Sequence, residues 1–150
     1  MVDSVVPRRW PGSAVAVLLF GYAAGKAVFA SQGRLGFPGG PTVPEAVQEG
    51  YFMDAAGAQW LASATGVVGA CVALATVTPL GRRVPRSLML LVLAGMLLAV
   101  GAGAAIMIVD GFIGIGVGWQ WYHGVLGIVV IGLLVAMIQS YAKATKHVVG

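Results

Sequence analysis

The chain has 150 residues, 59% of them hydrophobic and only 9% charged, with a formal net charge of +4. Typical soluble domains carry about 25% charged residues, so a water-facing surface over this chain is excluded. The positive balance does not point to nucleic acid, because the basic residues sit in short flanks beside apolar stretches and form no stripe interleaved with aromatics.

Four apolar stretches, residues 13–30, 55–78, 88–109 and 119–141, are each long enough to cross a bilayer, which takes about 20 residues. The expected fold is all-α: a single integral membrane domain built as a four-helix bundle. Arg8 and Arg9 precede the first stretch. Together with Val28-Phe29-Ala30 they have the look of a cleaved signal peptide, but Lys26 interrupts the apolar run, and a retained first span is expected. Lys26 lies a turn or so from the end of that span. A lysine at such depth either snorkels to the headgroups or finds a partner, and Asp54 and Asp110 are the candidate carboxylates. Tyr22, four residues earlier on the same helix face, is a candidate neighbour.

Spans one and two are joined by residues 31–54, longer than the connections bundles usually use. The first half is broken by Gly and Pro through Gly36-Phe37-Pro38. Thr42 and Glu45 have capping-box spacing, which predicts a short helix through about Phe52 with Val43, Val47 and Tyr51 on one side. This helix is expected to lie across the mouth of the bundle. Span two carries Gln59 and Ser63 one turn apart. It also holds the only cysteine, Cys71, read as a small buried apolar side chain; without a partner it makes neither a disulfide nor a dithiol pair.

Pro79, Gly81 and Pro85 mark a short turn into span three. Residues 110–118 read as a tight apolar link, and span four opens on Trp119-Gln120-Trp121-Tyr122-His123. The tryptophans there fit an interfacial aromatic belt. Gln120 and His123, three apart, are expected to share a helix face, with His123 either handling a proton or serving as a hydrogen-bond partner. Small residues recur at helix-facing intervals, Gly21 and Gly25, Gly66 and Ala70, Gly95 and Ala99, Gly124 and Gly127, and these predict close helix crossings.

Arg8, Arg9, Arg82, Arg83, Arg86, Lys143 and Lys146 all fall on one side of the implied membrane; Arg34, Glu45, Glu49, Asp54 and Asp110 fall on the other. The positive-inside rule then puts both termini in the cytoplasm of a multi-pass cell-membrane protein, with the long link outside. Lys26, Tyr22, Gln59, Ser63, Gln120 and His123 would converge near the outer surface as a pocket for a quinone headgroup, a lipid or another small molecule. No cofactor and no metal site is predicted: bis-histidine haem would need a second histidine at membrane depth, and His147 is in the tail. No catalytic residues can be named.

Gly21-Tyr22-Ala23-Ala24-Gly25-Lys26, Gly36-Phe37-Pro38 and Thr65-Gly66-Val67-Val68-Gly69 together resemble the DoxX-like family of small four-helix membrane proteins. The resemblance covers the first half of the chain by motif and the rest by span pattern. It implies a non-catalytic partner in membrane-linked redox, sulfur-oxidation or oxidative-stress complexes of the bacterial inner membrane. Members often carry an acid in span two facing the span-one lysine; this chain has none there, so an ion pair falls to Asp54 or Asp110. Three functions stay open at this point: an accessory or anchoring subunit, a quinone- or lipid-binding membrane enzyme, and a homo-oligomeric transporter or channel.

Overall fold

The computed structural model describes residues 9–146, so Asp3, Arg8 and His147 lie outside the described residues. Within them the chain is helical, with no strand. The order is α1 (Trp10–Ser31), α2 (Glu45–Glu49), α3 (Ala55–Val77), a 3-10 turn (Pro79–Arg82), α4 (Arg86–Ile113) and α5 (Trp121–Ala144). The four long helices have 22, 23, 28 and 24 residues and are apolar enough to cross a membrane. At about 1.5 Å per residue, each exceeds the roughly 30 Å of a hydrocarbon core.

Local chemistry sets the helix ends. Pro11 sits in the first turn of α1, where a missing N–H leaves no intrahelical bond unmade. The Asp54 carboxylate caps α3 by accepting the Gly57 N–H at 2.7 Å. Helix α4 stops at Gly114, whose φ of +76° is a left-handed cap that a side chain would strain. The capping box expected from Thr42 does not form. Pro44 occupies the N-cap of α2 without a side-chain bond, and the helix ends at Glu49 with no buried residue.

Helices α1 and α3 pack antiparallel, as do α4 and α5, and the two pairs meet mainly along α1 and α5. The core runs through Val15, Leu19, Ala70, Ala73, Leu93, Leu134 and Met137. Small residues set the crossings, but only some of the expected ones. A Cβ on Gly66 would lie 3.0 Å from the Tyr22 ring and 3.3 Å from the Leu19 carbonyl, and one on Gly127 would lie 2.7 Å from the Ala104 carbonyl. Gly21 and Gly95, by contrast, face open space. Cys71 is exposed on the flank of α3, not buried as its type implied, because Ala70 and Ala73 take the inward positions.

The link after α4 also differs from expectation. The helix continues through Asp110 to Ile113, and Asp110 is only 2% exposed. It belongs to the last turn of a helix and not to a loop, because its carboxylate reaches the backbone of residues 118 and 119. Trp119 and Gln120 fall outside α5 for the same reason. Antiparallel packing leaves Glu45, Glu49, Asp54 and Asp110 at one end of the bundle, the acidic end, and Arg9, Arg82, Arg83, Arg86, Lys143 and Lys146 at the other, basic end.

Gly127→Ala is expected to destabilise the α4–α5 pair by about 1–3 kcal/mol, since the added methyl has only the Ala104 carbonyl and Ile108 to displace. Gly132→Ala, on the same helix with nothing within 4 Å, should leave stability unchanged or slightly raised. Unfolding both variants in mixed micelles tests this; equal losses would refute the crossing.

Candidate functional site

The polar side chains singled out in the sequence come together at the acidic end, and what they hold is the chain itself. Residues 33–41 cannot form a helix, so their backbone groups have no regular partners. Against an apolar bundle, each such group left bare costs about 1–3 kcal/mol, and more in lipid. The long helices supply the missing donors.

Gln59, at 2% exposure, donates through Nε2 to the carbonyls of Arg34 at 3.0 Å and Gly36 at 2.8 Å. Lys26 Nζ donates to the same Gly36 carbonyl at 3.0 Å. The ammonium also lies 5.6 Å from the centre of the Tyr22 ring, within cation–π range. Gly36 itself is required, for its φ is +136° and a Cβ would lie 2.8 Å from the Phe29 ring. The next side chain, Phe37, stacks on Tyr22 with ring centroids 5.9 Å apart and planes 14° from parallel. It occupies the space left by the missing side chain of Gly25, where a Cβ would collide with the ring.

The other side of the segment is held from α5. His123 Nδ1 accepts the Gln120 N–H at 3.1 Å, and Nε2 lies 3.2 Å from the Gly39 carbonyl. Accepting at Nδ1 leaves Nε2 to carry the proton and donate to Gly39. Gln120 and His123 thus form the capping box of α5, rather than two groups on one helix face. The edge of Trp119 packs under Gly40 and against His123, 4.7 Å between ring centroids, while Trp121 and Tyr122 point outward. Gln48 completes the frame: Oε1 accepts the Leu35 N–H at 3.3 Å and Nε2 donates to the Val43 carbonyl at 3.1 Å.

Ser63 stands apart, since its hydroxyl donates to the Ala23 carbonyl at 2.8 Å and ties α3 to α1. The carboxylates expected beside Lys26 have other roles. Asp54 caps α3, and Asp110 Oδ2 accepts the N–H groups of Gly118 at 3.0 Å and Trp119 at 3.1 Å. Asp110 Oδ1 is buried with no hydrogen-bond partner.

The space beside the segment, between Phe29, Arg34, Phe37 and Gln48, is about 60 Å³. Small-molecule pockets run from about 300 to 1,000 Å³, so this space is well below that range and is of a size for a few waters. A shallow apolar groove of about 260 Å³ lies along α4 at Ala105, Ile106 and Val109 and is closed by Ile115 just beyond the helix. Among the described residues, no three His, Cys, Asp or Glu side chains are grouped to hold a metal ion.

Sequence reasoning named Lys26, Tyr22, Gln59, Ser63, Gln120 and His123 as pocket candidates; it read Gly36-Phe37 only as part of the irregular link and gave Gly39 and Gln48 no role. The available signal was a Gly/Pro segment next to apolar helices, which demands donors from somewhere. Compared with known proteins, the chain matches no protein family, no curated protein and no solved structure.

Gln59→Leu should destabilise the protein by about 1–3 kcal/mol and expose residues 33–41 to protease, because it leaves the Arg34 carbonyl without a donor and the Gly36 carbonyl with Lys26 alone. Lys26→Met should do less, as Gln59 still serves Gly36. If Lys26→Met proves the more damaging in unfolding and proteolysis, the ranking of these donors is wrong.

Proposed function

We propose that the chain is a non-catalytic accessory or anchoring subunit of a larger membrane complex, inserted four times in the cell membrane with both termini in the cytoplasm. The observation that carries this reading is the engagement of the polar side chains. Lys26, Gln59 and His123 have backbone carbonyls of their own chain as partners, which argues for a scaffold held rigid rather than a site left open for chemistry. The uncovered length of α4, with Gly95, Leu98 and Ile106 turned outward, offers room for another subunit's helix.

The acidic end, with its long connection, then faces outward, as the bias of Arg and Lys toward the other end favours. The resemblance to DoxX-like proteins adds a redox-linked complex as the setting. The residues that carry it also touch one another: Gly25 receives Phe37, and Lys26 holds Gly36.

The test is extraction of native membranes in mild detergent, with the partner identified by crosslinking from cysteines placed at positions 98 and 106. A stoichiometric second membrane chain is expected. Lys26→Met and His123→Ala should lower the amount of assembled complex while leaving turnover per assembled complex unchanged. Full assembly with turnover abolished would instead favour a quinone- or lipid-binding enzyme. A fluorescent reporter on the C-terminus should be active in the cytoplasm; activity only on the far side refutes the orientation.

A further inference from the structure

We propose that the basic end of the bundle is a binding site for the headgroup phosphate of an anionic membrane phospholipid. This rests on the membrane reading above and concerns the end opposite the loop-holding side chains.

Cations from three elements are gathered there by specific ties. The 3-10 turn and the residue that caps it present Arg82 and Arg83, both exposed, from a fixed position. Its Gly81 is buried so tightly against the Ala75 backbone that no Cβ fits, and the Gly81 carbonyl accepts the Tyr141 hydroxyl at 3.4 Å. Arg86, at the start of α4, donates through Nε to Thr145 Oγ1 at 3.1 Å, and Thr145 Oγ1 bonds back to the Tyr141 carbonyl at 2.9 Å. Thr145 stands between Lys143 and Lys146, both exposed. These contacts draw the turn, the first turn of α4 and the end of α5 together.

Among the described residues no carboxylate lies at this end, because Glu45, Glu49, Asp54 and Asp110 are all at the other. Like charges brought together repel, and an anion between them relieves the repulsion. Membrane topology alone asks only that Arg and Lys lie in the flanking segments. It does not ask that the turn and α4 be tied to α5, and those ties are what make a site. Guanidinium groups suit phosphate oxygens through paired N–H donors. Exposed Leu80 and Leu88 beside the arginines supply apolar surface for the glycerol and upper acyl chain, which a free phosphate would not use.

The test follows thermal unfolding of the purified protein in uncharged detergent with added phosphatidylglycerol, phosphatidylcholine or inorganic phosphate. Phosphatidylglycerol should raise the midpoint by about 3 °C or more, and the other two should not. The shift should vanish in the triple variant Arg82→Gln, Arg83→Gln, Lys143→Gln, with no loss of midpoint in phosphatidylcholine. Should that variant fail to fold, wild-type protein in about 1 M salt serves instead, since screening there acts within about 3 Å and removes the shift. Equal shifts from both lipids, an equal shift from inorganic phosphate, or a shift kept by the variant or in high salt would each overturn the proposal. Flotation with phosphatidylcholine vesicles separates the two readings: a chain that does not float fails the membrane reading, whereas one that floats without preferring phosphatidylglycerol fails only the lipid site.

Discussion

An irregular backbone packed against apolar helices must have its carbonyls hydrogen-bonded, and the acidic end of this protein is arranged around that requirement. The segment of residues 33–41 lies over the bundle because Gln59, Lys26 and His123 reach the carbonyls of Arg34, Gly36 and Gly39. Once those bonds are made, Phe37 is fixed against Tyr22 and over Gly25. The polar residues of the long helices thus explain the loop, and the loop explains the polar residues.

Helix pairing follows a different rule. Between helices as apolar as these, backbone approach and dispersion contact decide which faces meet. Gly66 and Gly127 each bring a helix against a neighbour's backbone, and Ser63 adds a hydrogen bond from α3 to α1. Helix α4 has the fewest such devices and the most uncovered apolar surface, which makes it the face most open to further packing.

The four long helices were legible because each is a nearly uninterrupted apolar run, and their limits fall within a few residues of the expected ones. The convergence of Lys26, Gln59 and His123 was legible too, since polar groups at similar depth on neighbouring helices have few ways to avoid one another. What they converge upon was not. A carbonyl has no identity in a sequence, so Gly36 and Gly39 read as loop glycines and not as acceptors. Asp110 was misread for a related reason: an acid near a glycine-rich stretch looks like a loop residue until its contact with the backbone of Gly118 and Trp119 is seen. Gly21 and Gly95 show the converse, for small-residue spacing marks where helices can approach without saying which pairs do.

Asp110 has one further consequence. One carboxylate oxygen holds the corner between α4 and α5 through two backbone amides. Opening the corner strips that oxygen of both donors at once, and a buried acceptor left bare costs about 1–3 kcal/mol. The amides of Gly118 and Trp119 should accordingly trade their hydrogens with solvent more slowly than those of the exposed residues 115–117 just before them.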